Sequence, residues 1–152
     1  MPTPPLVEQV TRDIADAMRQ KDQARLAPLR MLKAALMNKE VEKGRALDEA
    51  ESLQVVGSLV KQRRDSIEQF RAGHRQDLVD REQAEIALLE RYLPPAADDA
   101  AMASAIDAAV AETGASSMKD MGRVMKAATA RLAGLTVDGR VLSEAVKRRL
   151  DG

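Results

Sequence analysis

Residues 114–126 read Gly114-Ala115-Ser116-Ser117-Met118-Lys119-Asp120-Met121-Gly122-Arg123-Val124-Met125-Lys126. The stretch ends one helix and begins another, which points to a fold of helix packed on helix. Gly114 suits the left-handed position that closes a helix, because it lacks the Cβ that clashes there. Ser117 reads as the cap of the next helix, and Asp120 three residues on completes a capping-box pattern. Lys119, Arg123 and Lys126 follow at spacings of four and three, along one helical stripe. Met118, Met121, Val124, Met125 and Ala128 form the apolar side. Gly122 sits inside this helix, where glycine costs about 1 kcal/mol relative to alanine. Close approach by a neighbouring helix or by a ligand backbone is the use expected for it.

The whole chain has 152 residues, enough for one ordinary domain or two small ones. Its hydrophobic share, 45%, is carried by Ala, Val, Leu, Ile and Met, and the only aromatic residues are Phe70 and Tyr92. That composition favours packed helices over a sandwich or barrel. Lys and Arg number 24 and so do Asp and Glu, so any attraction for a polyanion must come from a local patch. Without cysteine there are no disulfides and no thiolate metal sites. Neither a secretory leader pattern nor a run of about 20 apolar residues is apparent, so a cytoplasmic protein with no membrane partner is expected.

Thr3 with Pro4 and Pro5 in the first turn is the expected start of helix one, and Leu6, Val10, Ile14 and Met18 recur every four residues as its apolar side. Asp22 caps a second helix with Leu26, Leu29, Leu32, Leu36 and Met37 inward, and Pro28 predicts a kink or restart. Gly44 ends it. Asp48 and Glu51 form a capping box opening helix three, whose stripe is Leu53, Val56, Val60, Ile67 and Phe70, and Gly73 closes it. Helix four spans about Gln76 to Tyr92 with Val79, Ile86, Leu89 and Leu93 inward.

Two charges fall on these apolar stripes, Arg64 in helix three and Glu82 in helix four. Folding the two helices back about residues 73–74 sets them opposite one another, so an Arg64–Glu82 pair is predicted across an antiparallel hairpin. An external anion held by Arg63 and Arg64 is the alternative. The internal pair is preferred because a charge on a buried stripe is costly unless paired.

Leu93-Pro94-Pro95-Ala96-Ala97-Asp98-Asp99 reads as a stiff linker, with Asp98 or Asp99 capping helix five over about 99–113. Helix five carries Met102, Ile106, Ala109 and Val110 and has no basic residue. Helix six runs to Leu132 before Gly134. Asp138-Gly139 introduces a last helix through Leu150, with Val141, Leu142, Ala145 and Val146 inward. The expected fold is all-α: an N-terminal four-helix bundle-like domain, residues 1–93, joined by a Pro-rich link to a small C-terminal three-helix domain, residues 97–152.

Several separated segments resemble the free-standing YqeY proteins of the GatB/YqeY family. They are Leu29-Arg30-Met31-Leu32-Lys33-Ala34-Ala35, Lys61-Gln62-Arg63-Arg64-Asp65-Ser66-Ile67, Glu82-Gln83-Ala84-Glu85-Ile86, Tyr92-Leu93-Pro94 and the opening stretch from Gly114 to Gly122. The resemblance covers almost the whole chain and implies the same helical bundle and three-helix domain. It also implies kinship with the tail of the B subunit of the tRNA-dependent amidotransferase, where that tail contacts tRNA and leaves the chemistry to other parts. The family label is carbon–nitrogen ligase with glutamine as amido-N-donor. Two departures fall in the last domain: Ser143 stands where asparagine is common, and Leu135-Thr136-Val137 replaces a smaller, more basic loop.

The residues themselves do not assemble a catalyst. His74 is the one histidine and falls in a turn. Glu82 and Glu85 have Arg81 and Arg91 nearby and read as ion-pair partners, not metal ligands. No phosphate-cradling glycine motif is present. Ser116 and Lys119 satisfy Ser-x-x-Lys, and the Ser-Ser-Lys order is similar to that of amidases, yet the companion motifs of both are missing. No catalytic residue, metal site or cofactor is assigned. Residues 114–152 carry eight cations against Asp120, Asp138, Glu144 and Asp151, a net charge of +4. Lys119, Arg123, Lys126, Arg140 and Lys147 are the candidate phosphate contacts, recognising a structured RNA by shape and charge because no aromatic platform is available.

The expected function is that of a non-catalytic accessory binding tRNA or a tRNA-handling complex, such as an amidotransferase or an aminoacyl-tRNA synthetase assembly. Two alternatives stand beside it: an associated subunit in the carbon–nitrogen ligase reaction, and a protein-interaction module built on Met18, Met31, Met37, Met102, Met118, Met121 and Met125. A continuous positive face on helices six and seven favours RNA, and an exposed methionine patch favours protein. The sequence leaves the oligomeric state open.

Overall fold

A computed structural model describes residues 4–152. Among these residues there are seven α-helices: α1 Leu6–Arg19, α2 Gln23–Lys43, α3 Glu49–Ala72, α4 Gln76–Glu90, α5 Asp99–Thr113, α6 Met121–Arg131 and α7 Gly139–Asp151. A single 3₁₀ turn, Met118–Asp120, precedes α6, and the only sheet-like pairing among the described residues is an isolated bridge between Ala96 and Thr136. Contacts divide the chain into two compact units, one ending at Leu93 and one running Pro94–Gly152.

In the first unit α1 packs on α2 and α3 on α4. Val10, Ala17, Leu29, Leu32, Leu36, Val56, Val79 and Leu89 form its core. The caps follow the sequence closely. Asp22 accepts the Arg25 N–H, Asp48 and Glu51 form the reciprocal capping box, and Gly44 closes α2 at φ 71°. At the other closures the details differ. Pro5, not a residue inside the first turn, stands at the N-cap of α1. The capping role expected of Thr3 lies outside the described residues. The left-handed residue after α3 is His74, at φ 58°, while Gly73 stays right-handed. α2 is one continuous helix through Pro28, so the expected restart does not occur, and the proline leaves the Ala24 carbonyl without its usual i+4 amide.

Two apolar stripes also rotate away from their expected line. A strict step of four residues advances about 40° beyond a full turn, so by the third step Met18 has left the core and Ala17 has replaced it. Met37 lies about 100° from buried Leu36 and is exposed for the same reason.

The buried cation is Arg63, a correction to the predicted Arg64–Glu82 pair. Arg63 is 5% exposed, and its Nε lies 2.9 Å from Glu85 and 3.9 Å from Glu82. Its guanidinium also donates to the Leu59 carbonyl at 3.2 Å and to the Met31 sulfur at 2.9 Å. The arginine side chain at 64 is 48% exposed, with Glu90 at 4.0 Å. The reason is register. Leu59 is buried as well as Val60, which turns the face between Val56 and Ile67 toward position 63. The end of α4 is fixed to α1 by Tyr92, whose hydroxyl donates to Asp13, and burial raises its pKa.

Glu51 gathers the α2–α3 connection. It accepts from Lys43 at 2.6 Å and from Arg45 at 2.7 Å and takes the Asp48 N–H, and these partners hold its carboxyl far below the ordinary 4.5.

Glu85→Leu, which leaves Arg63 short of its closest partner, is expected to cost about 3 kcal/mol in urea unfolding. Arg63→Met with Glu85→Leu is expected to recover most of that loss, and Arg64→Met to stay within about 0.5 kcal/mol of wild type. An Arg64→Met loss as large as that of Glu85→Leu would contradict this assignment. Because the folded Glu51 carboxyl has the lower pKa, its contribution is complete above the unfolded value and is lost as the pH falls below it. The urea midpoint of wild type is therefore expected to drop more steeply from about pH 6 to about pH 3 than that of Glu51→Gln.

Candidate nucleic-acid interface

The second unit is built by α5, α6 and α7 around Met102, Ile106, Ala109, Val124, Ala128, Leu132, Leu142 and Val146. Gly114 closes α5 at φ 68°, with its N–H on the Val110 carbonyl. The chain then starts α6 by way of the 3₁₀ turn. Ser117 Oγ accepts the Lys119 N–H at 3.3 Å, and Asp120 accepts the Ser116 N–H at 3.0 Å. The expected capping box is thus replaced by a tighter pair of bonds, because the first turn is 3₁₀. Asp138 caps α7 by accepting the N–H groups of Arg140 and Val141. Ser116 and Ser117 sit at this helix start, and no hydrogen bond joins either hydroxyl to a general base among the described residues.

Lys119, Arg123, Lys126, Arg140 and Lys147 are all exposed. They are not equally available. Arg123 is held by Asp120 and donates to the Thr113 carbonyl at 3.3 Å, so it ties the start of α6 to the end of α5. Asp120 is held below its ordinary pKa by the Ser116 N–H and by Arg123. Two further cations turn back onto α5: Arg131 lies 3.3 Å from Glu112, and Arg149 lies 3.2 Å from Asp107. Lys119, Lys126 and Lys147 make no ion pair among the described residues. Arg140 and Lys147, seven residues apart, share a flank of α7, and Arg149 lies on the opposite flank facing α5.

At Gly122 one of the two expected uses drops out. A Cβ built there would meet nothing within 4 Å, so no neighbouring helix explains the glycine. Thr136, part of the departure from the family pattern, has a structural use. Its N–H donates to Pro95, its hydroxyl to Pro94, and its carbonyl accepts from Ala97, all at 2.7–2.9 Å. That clamp folds the start of the unit onto the α6–α7 loop, and nothing in local spacing announced it.

Among the described residues no cluster of three potential metal-binding side chains occurs, and no helix is long and apolar enough to cross a membrane. His74 is an exposed turn residue.

Helices alone, capped and packed in two units, make this an all-α protein. The chain belongs to the YqeY-like family, whose model, described as "Yqey-like protein", matches residues 7–150. It is also similar to "Altered inheritance of mitochondria protein 41, mitochondrial" of Lachancea thermotolerans, at 39% identity over 88 residues, 57% of this chain and 47% of that protein. The proteins of the same name from Saccharomyces cerevisiae and Kluyveromyces lactis are each 37% identical, over 82 and 87 residues. Those alignments cover 53% of this chain and 44% of the first relative, and 57% and 47% for the second. The match therefore spans less than half the length of these relatives. Their names overturn the plain cytoplasmic expectation, since each is called mitochondrial. Surface composition does not separate the two, because any aqueous compartment imposes the same polar exterior.

Ser117→Ala is expected to cost about 1 kcal/mol in urea unfolding, as the loss of a helix-start acceptor does. Ser116→Ala, whose hydroxyl makes no hydrogen bond among the described residues, is expected to stay within about 0.5 kcal/mol. The reverse order would show that the bonds at the helix start are misassigned.

Proposed function

We propose that the chain is a non-catalytic accessory whose C-terminal unit contacts the phosphates of tRNA, alone or within a tRNA-handling complex. The observation that carries this reading is the availability of Lys119, Lys126 and Lys147. All three are exposed and make no ion pair among the described residues, while the carboxylates Asp107 and Glu112 of α5 are already matched by Arg149 and Arg131. Open space above Gly122 leaves the backbone at the start of α6 approachable by a phosphate oxygen. Arg123, tied by Asp120 and Thr113, positions that start and is a secondary contact. Arg140 joins Lys147 on the same flank of α7. In this reading the two units act as separate domains joined by Pro94 and Pro95.

A second reading has its own observation. Met31 and Met37 are 50% and 49% exposed on α2, and Val41 is 81% exposed on the same helix. An apolar outer face on a helix whose inner face is already buried favours protein contact by the N-terminal unit. The two readings concern different units and are compatible.

Binding of tRNA by wild type and by a Lys119→Glu, Lys126→Glu, Lys147→Glu triple variant across a salt series tests the first reading. Wild type is expected to lose affinity steeply with salt, and the variant to show a slope smaller by about one unit for each lost contact. If neither binds at low salt while circular dichroism shows both folded, the RNA reading fails.

A further inference from the structure

A cavity of about 180 Å³ lies between the first turns of α1 and α3, lined by Leu6 and Gln9 of α1, by Glu49, Ser52 and Leu53 of α3, and by Tyr92. It is small beside the pockets of about 300–1,000 Å³ that take drug-sized ligands, so it has room for one short chain. Ser52 is its unusual wall. The residue is 4% exposed, and its hydroxyl makes no hydrogen bond among the described residues. A serine inside a helix can turn back to the carbonyl four residues earlier, as Ser66 does to Gln62 at 3.1 Å. Ser52 does not, and a buried hydroxyl without a partner is costly. Among the described residues no unpartnered side-chain donor or acceptor is sealed from solvent, so the Ser52 hydroxyl opens onto the cavity that it lines.

The other polar walls offer acceptors. Gln9 Nε2 donates to the Pro4 carbonyl at 2.7 Å, which leaves Oε1 unengaged. Glu49 is exposed, and its carboxylate makes no ion pair or hydrogen bond among the described residues. The Tyr92 hydroxyl commits its proton to Asp13 and adds no donor. No lysine, arginine or histidine is among the lining residues. A helix start favours negative charge, and at α3 Glu49 itself already supplies it from the first turn. A phosphate or carboxylate arriving here would meet a like charge with no cation to offset it.

We propose that this cavity binds a primary alkylammonium group, which donates to Glu49, Gln9 Oε1 and Ser52 Oγ while its methylenes lie along Leu6 and Leu53. An ammonium carries three donors and no acceptor, the complement of these walls. Water can satisfy Ser52, but it leaves the Glu49 charge unmatched and the leucines wet, so an amine on a short aliphatic chain displaces it. An aromatic wall such as Tyr92 attracts a cation more than it attracts a neutral ligand. A guanidinium fits worse, because its rigid fork of five donors would leave some of them unmatched in so small a space. A lysine side chain and a free diamine present the same ammonium chemistry. The proposal rests on neither the tRNA reading nor the exposed methionines of α2.

The test titrates n-butylammonium, n-butanol and butyrate, alike in chain length, into the full chain with ¹³C-methyl leucine. Butylammonium is expected to shift the Leu6 and Leu53 methyls saturably at millimolar concentration and to leave Leu142 of the other unit unmoved. It is expected to bind about tenfold more tightly than butanol or butyrate. Glu49→Gln is expected to weaken butylammonium about tenfold and to leave butanol unchanged, and Ser52→Ala to weaken butylammonium about fivefold. Both variants are expected to keep the Leu142 signal and the circular dichroism of wild type, so a loss of fold is not mistaken for a loss of site. Nα-acetyl-lysine methylamide and diaminobutane then separate the sources. Tighter binding of either supports the site, and the order assigns it to a protein lysine or to a free diamine. The proposal is overturned if butylammonium moves neither Leu6 nor Leu53. Equal binding of butanol would also overturn it, leaving an apolar cavity only, and tighter binding of butyrate would give the helix starts to an anion. So would a Glu49→Gln variant that binds butylammonium as wild type does.

Discussion

A guanidinium inside an apolar bundle tolerates few arrangements, and Arg63 sets the one used here. Its charge must be met by carboxylates and its remaining donors by acceptors, or the cost of removing it from water is not recovered. Glu85 and Glu82 meet the charge from α4, while the Leu59 carbonyl and the Met31 sulfur take the other N–H groups. These contacts fix how α3 folds back on α4 about the turn at His74, and they draw α2 against the hairpin through Met31. Sliding either helix by one residue would leave an ion buried without its partner.

The same arrangement shapes the outer surface. With Glu85 engaged by Arg63, the acidic side of the α2–α4 groove is neutralised from within, and Arg81 of α4 makes no ion pair among the described residues. The sulfur of Met31 is held from below while half of the side chain remains open to solvent. A buried interaction thereby decides the charge character of an exposed one.

In the C-terminal unit, charge is sorted by helix. α5 is acidic, and α6 and α7 are basic, so part of the basic excess is spent inside the unit on Arg131–Glu112 and Arg149–Asp107. What remains outward is lysine more than arginine: compact, strongly hydrated charges suited to phosphates without base reading. The net charge of residues 114–152 could be counted from sequence. Which cations were already committed could not, because Arg131 and Glu112 stand nineteen positions apart and Arg149 and Asp107 forty-two.

Local chemistry by itself determined the helices of this chain. Asp22, Asp48, Asp98 and Asp138 cap, Gly44 and Gly114 close, and each does so within a few residues of its own position, where only backbone geometry and a neighbouring side chain matter. Choices between adjacent residues waited for tertiary structure. Arg63 instead of Arg64, Ala17 instead of Met18 and Leu36 instead of Met37 turn on about 100° of helix rotation, and only the packed neighbour fixes that angle. The Thr136 clamp and the cavity between α1 and α3 belong to the same class. They join residues distant in the chain, and a contact of that kind exists only once the helices between have folded.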